Sequence, residues 1–264
     1  MVARAAAGRA KRWRSRTALH VLNAAGNPAS MADAVTAAVS LIMHGVPCPP
    51  TDLAAVASKV NVEACIAEEM PGSGELRRTG SRFTIYYSSY LPVHPRRFTM
   101  AHEIGHALLE MSSPVPPTQC REVEHLCDMI AAEILMPRRL MEGRMKDRPN
   151  LKLVFDTSKT FQVSLSAAAL RIAELSSATV FGVEGSRIVW ANGFVRRGPV
   201  DRLSSDLRTA VGKAVQGLRA EEEVLLDGVA GFRPWRLEYT PLNAGRAIFL
   251  LHPIPWSQSR AAGA

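Results

Sequence analysis

Phe98-Thr99-Met100-Ala101-His102-Glu103-Ile104-Gly105-His106-Ala107-Leu108-Leu109-Glu110 decides how the rest of the chain is read. Ala101, Ile104, Ala107 and Leu108 recur at helical spacing, and Thr99 is placed as the N-cap. At 3.6 residues per turn, His102 and His106 stand one above the other on a single face. Two neutral imidazoles so placed can hold one Zn2+ at roughly 2.0–2.1 Å. Glu103 is turned about 100° from His102, so it borders the metal's open position without filling it. A zinc hydrolase keeps its general base there. A solvated helix carrying two histidines by chance is the plainer reading, and the capped, apolar-faced helix around the motif weighs against it.

A third protein ligand is needed, and a third histidine is excluded. That form of the motif requires Gly and His three and six residues after His106, where Leu109 and Ser112 stand. After a Pro-rich turn over Ser112–Thr118, a second helix runs from Glu122 to Leu135 and is ended by Pro137. Val123, Leu126, Cys127, Ile130, Ile134 and Leu135 form its core face. Glu124 and Asp128, four residues apart, share another. Glu124 completes a His2Glu set, and Asp128 is placed to accept the outer N–H of a ligand histidine. Glu122 and His125 compete as ligands, but both point away from that face. A solvated pair of acids would be the better reading of Glu124 and Asp128 taken alone.

Arg97-Phe98-Thr99 before the histidine motif, Glu124-x-x-x-Asp128, and Ala131-Ala132-Glu133-Ile134-Leu135-Met136-Pro137 together resemble the ImmA/IrrE-type metallopeptidases. The resemblance covers about residues 32–140. Asp128 falls where that family usually has Asn, and either side chain can accept a histidine hydrogen bond. The resemblance implies a gluzincin-like core that makes site-specific cuts in helix-turn-helix repressors, as part of a stress-response or regulatory switch.

The net charge of +8 first suggests nucleic acid. Arg4, Arg9, Lys11, Arg12, Arg14 and Arg16, with no acid before residue 21, hold most of it. The basicity is therefore a tail over residues 1–30, expected to be disordered and at most a loose nucleic-acid contact. Translation from Met31 would omit it. No apolar signal core follows the basic residues and no stretch approaches 18 apolar residues, so a cytoplasmic protein without a membrane span is expected. Cys48, Cys65, Cys120 and Cys127 form no Cys-x-x-Cys pair and read as reduced thiols.

The expected fold class is α+β. A metallopeptidase core occupies residues 31–145, with helices at 32–44 and from Thr51, a strand at 61–67, a loop at 72–80, and a strand at 82–87. The strand at 82–87 is a candidate for pairing with an extended substrate. Tyr86, Tyr87 and Tyr90 are candidate oxyanion donors, and Arg97 is read as structural. Residues 146–177 form a helix-turn-helix-like pair in which Arg171 alone could read bases, so a buttress for the core is favoured. Residues 178–264 read as ββαβββ, a small antiparallel sheet with a helix over residues 201–220. That layout is similar to GAF- or PAS-like sensor domains.

The composite reading is a zinc-dependent endopeptidase, with Mn2+ or another divalent ion also able to fill the site. His102, His106 and Glu124 are its ligands and Glu103 its base, and its partner is a repressor protein. Two rivals stand beside it. One is a DNA-binding regulator with a structural metal, which needs a fourth ligand such as Cys120, Cys127 or His125. The other is a ligand-sensing regulator whose site is idle.

Overall fold

A computed structural model describes residues 13–113, 117, 120–145, 148–226, 233–243 and 245–254. Most of the Pro-rich turn and the first twelve residues of the basic tail lie outside them. Contacts divide the chain after Pro137 into two units.

In the first unit, α1 (Arg16–Ala24) is capped by Ser15, whose side chain accepts from the Ala18 amide. Regular structure thus begins well before Met31, inside the stretch read as a disordered tail. The arginines stop at Arg16, and Thr17, Ala18 and Val21 bury against α2 (Met31–Met43) and α5 (Arg121–Leu135). Asp52, not Thr51, caps α3 (Leu53–Lys59); Thr51 is buried and donates to the Ile134 carbonyl at 2.7 Å.

Three strands follow: β1 (Val62–Glu68), β2 (Gly74–Thr79) and β3 (Arg82–Ser88), in the order β1-β3-β2. β1 runs parallel and β2 antiparallel to β3. The expected loop at 72–80 is therefore a strand. Its charged, solvated residues Glu75, Arg77 and Arg78 hid it from a hydrophobic pattern, because an edge strand needs little burial. It also leaves β3 central, with both edges taken.

α4 (Val93–Ser112) begins directly after Pro92, with Pro95 in its first turn, where a missing N–H is no loss. Thr99 is consequently not an N-cap: it lies buried within the helix. α4 packs on α5 through Ile104, Leu126 and Ile130, each at most 1% exposed. On α4, Leu109 is buried where Leu108 had been expected. Gly105 permits the approach of the two helices, since a Cβ there would stand 3.2 Å from the Cys127 Cα.

In the second unit, α6 (Arg138–Arg144) precedes α7 (Leu151–Phe161) and α8 (Leu165–Glu174), with left-handed Gln162 between the last two. The sheet contains β4 (Thr179–Glu184), β5 (Arg187–Asn192), the two-residue β6 (Gly198–Pro199), β7 (Ala220–Leu226), β8 (Arg233–Asn243) and β9 (Arg246–Pro253). Its order is β6-β5-β4-β9-β8-β7, antiparallel throughout. α9 (Ser205–Val215) covers one face, where Leu207 and Val211 meet Phe181, Leu237, Tyr239 and Phe249. Phe181 and Phe249 stack at 4.6 Å. α9 is shorter than the expected helix at 201–220, because left-handed Gly217 follows it and Leu218 is exposed. α8 packs on β4 and β5, so the helical pair belongs with this sheet.

No helix among the described residues is long and apolar enough to cross a membrane. Ile104→Ala should cost about 2–5 kcal/mol of stability, as cavity-forming substitutions in a packed core do. Leu41→Ala, at a side chain 78% exposed, should stay within about 0.5 kcal/mol. Urea unfolding of the two variants checks this contrast.

Candidate metal centre

α4 presents His102 and His106 one turn apart, with ring centroids 5.0 Å from each other. α5 lies opposite and offers Glu124, whose two oxygens reach one imidazole each. Oε2 is 3.3 Å from His102 Nε2, and Oε1 is 3.6 Å from His106 Nε2. Ligands at 2.0–2.1 Å around a tetrahedral ion are separated by about 3.3–3.4 Å, the edge of the tetrahedron. The three side chains therefore fit a divalent zinc-type ion. His102 Nδ1 lies 3.0 Å from Asp128 Oδ1, the contact that fixes which ring nitrogen is free to bind.

The charges around the site are divided unevenly. Burial lowers the His102 pKa, but the Asp128 hydrogen bond and the charges of Asp128, Glu103 and Glu124 outweigh it, and the net shift is upward. His106 moves down, through burial and the neighbouring His102 charge. Glu103 is 6% exposed and pushed up to about 7, first by burial and then by Glu124 and Glu75 against the opposing His102 charge.

His102, Glu103, His106 and Glu124 line a cavity of about 570 Å3 together with Gly74, Glu75 and Leu76 of β2 and Glu110 of α4. β2 comes close because residue 74 is glycine: a Cβ there would stand 2.5 Å from Thr99 Cγ2. Sequence reasoning missed this wall of the site by taking it for a loop. Its faint signal was the hairpin turn at Gly80 between two runs of extended-type residues.

A second donor set exists. His102, His106 and Cys127 have ligand atoms within 4.8 Å of one another. Cys127 is wholly buried, does not line the cavity, and its pKa is driven far up by burial and by Glu124, Glu103 and Asp128. That environment disfavours the thiolate a metal needs. Glu122 and His125 are turned elsewhere, as their helical positions required. Glu122 accepts from the Arg14 and Ser15 amides, and His125 stacks on Trp13.

The tyrosine candidates are not brought to the cavity. The Tyr86 ring lies under Arg77, Tyr87 packs near Arg96, and Tyr90 is 72% exposed. Arg97 donates to the Thr51 carbonyl at 2.9 Å, a structural contact. Arg171 is buried and paired with Glu174, so α8 cannot present it to DNA.

Residues 57–173 match the family model Peptidase_M78, described as the IrrE N-terminal-like domain. No curated protein matches the chain. A solved Mycobacterium tuberculosis transcriptional regulator is similar over 90% of this chain and 79% of its own, with a TM-score of 0.51 and 11% identity. At that identity the likeness concerns the fold alone.

Glu124→Ala should abolish stoichiometric metal binding, while Glu122→Ala, His125→Ala and Cys127→Ala should retain it. Asp128→Ala should weaken binding or activity about 10–100-fold. Metal content of the purified variants by mass spectrometry decides between the two donor sets, since loss with Cys127→Ala and retention with Glu124→Ala would select the thiol.

Proposed function

With residues 57–173 belonging to the IrrE N-terminal-like peptidase family, we propose that the protein is a zinc-dependent endopeptidase that cuts a helix-turn-helix transcriptional repressor at one site. His102, His106 and Glu124 hold the metal, and Mn2+ or another divalent ion is an alternative occupant. The observation that carries this reading is Glu124 reaching both imidazoles while Glu103 stands beside them at the cavity wall. When bound, the metal supplies Lewis acidity, which polarises the scissile carbonyl and acidifies water.

The remaining chemistry belongs to this chain's own residues. Glu103 takes a proton from the attacking water and returns it to the departing amine. Asp128 keeps the His102 ring in its ligating orientation. β2 supplies the binding edge: β3 occupies one of its sides, and Ser73 to Leu76 line the cavity. An extended peptide added along β2 would lie across the histidines, with backbone hydrogen bonds giving affinity. This replaces the earlier expectation for the strand at 82–87, whose edges are both paired. A cleft of this kind takes an extended or exposed segment, because a packed helix has already spent its backbone hydrogen bonds.

A repressor substrate and a regulatory, stress-linked role follow from the family resemblance. The antiparallel sheet of the second unit, with α9 on one face, supports a GAF- or PAS-like sensing role by arrangement alone. Four free thiols suit a cytoplasmic setting.

Glu103→Gln preserves size and hydrogen-bonding shape but removes the proton acceptor. It should fold and bind metal as the parent does, yet lose cleavage of a repressor partner by about 100-fold or more. Fragments resolved by mass after incubation with a co-purifying helix-turn-helix regulator, with zinc or manganese, give the readout. Equal cleavage by Glu103→Gln would sink the hydrolase reading; DNA binding by both forms without any cleavage would put a regulator with a structural or idle metal in its place.

A further inference from the structure

Glu124, the ligand contributed by α5, sits in the first turn of that helix. The first amides of a helix have no partner within it, and end turns open more readily than the middle. Cys120 at the N-cap of α5 adds no side-chain hydrogen bond to them. Val123 is buried on the inner side of this turn, but the Glu124 side chain is itself 51% exposed. The placement of this ligand therefore depends on what meets the outer side of the turn.

The segment leading into α1 meets it there. Glu122 Oε2 accepts the Ser15 amide at 2.7 Å and the Arg14 amide at 3.0 Å. That carboxylate also lies at the positive end of the α1 dipole. Next to Glu124, the His125 ring stacks on Trp13, with centroids 5.6 Å apart and planes within 8°. Further along α1, His20 Nε2 donates to the Ser112 carbonyl at 2.6 Å. Ser112 ends α4, where the last carbonyls lack partners inside the helix. The segment thus touches the end of α4 and the start of α5, the two ends joined by the Pro-rich turn. Its own cap at Ser15 and the burial of Thr17, Ala18 and Val21 give it a fixed seat. It precedes the family-matched residues 57–173, so nothing in the shared peptidase core implies this contact.

We infer that residues 13–24 are a strap that keeps Glu124 in place for the metal, with Trp13, His20, Glu122 and His125 as positioning residues. The inference rests on the assignment of Glu124 as a ligand. With the strap seated, the first turn of α5 stays helical and Glu124 stays beside the two imidazoles. With its contacts removed, the turn opens more often and the hold on the metal weakens. None of the four positioning residues is a ligand, so saturating metal still fills the site in their variants.

Transfer of zinc from the loaded full-length protein to an excess of chromogenic chelator tests this without any substrate. Glu122→Ala and Trp13→Ala should each release zinc about tenfold faster than the parent, as removal of groups that orient metal ligands does. Glu122→Gln keeps an oxygen that can accept both amides, and Trp13→Phe keeps a ring that can stack; both should recover most of the parent's retention. Leu19→Ala, at an exposed position of α1, should release zinc as the parent does. In the metal-free protein, the amides of Glu124 and His125 should exchange hydrogen faster in the two alanine variants, while that of Ile130 keeps its protection. Parent-like release by either alanine variant, with Glu124→Ala unable to hold zinc, would overturn the strap and leave the ligand assignment standing. Zinc retained by Glu124→Ala would remove that assignment and the strap with it. Exchange raised equally along the whole of α5 would also overturn the strap, reducing α1 to a contributor to general stability.

Discussion

The close approach of α4 and α5 is the constraint on which the rest of the first unit depends. Neither helix carries a site alone: α4 has two imidazoles and a carboxyl, and α5 has two acids that would otherwise be solvated. Gly105 lets the helix backbones meet at Cys127, and the buried contacts of Ile104, Leu126 and Ile130 hold them there. That spacing places the Glu124 oxygens 3.3 and 3.6 Å from the two histidines. The placement of these side chains is thus secured by apolar packing several residues away, because a densely packed interior does not deform gradually.

A second constraint comes from the strand that walls the cavity. Gly74 brings β2 against Thr99, which places a free sheet edge and the Glu103 carboxyl beside the same space. The same strand acts on Glu103 in two opposite ways, the Glu75 charge raising its pKa and the Leu76 backbone hydrogen bond lowering it. One packing contact therefore shapes both the cavity wall and the surroundings of the Glu103 carboxyl.

The N-terminal residues have a part in this arrangement. Trp13 stacks on His125, and the Arg14 and Ser15 amides bind Glu122, so the start of the described chain is fastened to the helix bearing Glu124 and Asp128. The two residues that competed as ligands on paper serve instead to anchor α1. In the second unit the two sheet faces divide their work: one is an apolar core under α9, and the other carries Glu238 and His252 toward α7.

Much of the candidate site was legible in the sequence because its information is local. The four-residue spacings of His102 with His106 and of Glu124 with Asp128 follow from helix periodicity, as does the rotation of Glu122 and His125 away from them. Apart from the two-residue β6, the ββαβββ order was likewise readable from alternation and turn residues. Other features depended on contacts distant in sequence. β2 reads as loop because an edge strand of glycine, acid and arginine has no buried face to betray it. Thr99 reads as a cap because nothing in its neighbours reveals that the helix already began after Pro92. The closeness of Cys127 to the histidines, and the meeting of His252 with charged residues of α7 and β8, arise only when separate elements pack. Periodicity determined which side chains share a face; tertiary structure decided which faces meet, because that choice belongs to the packed core and not to any one helix or strand.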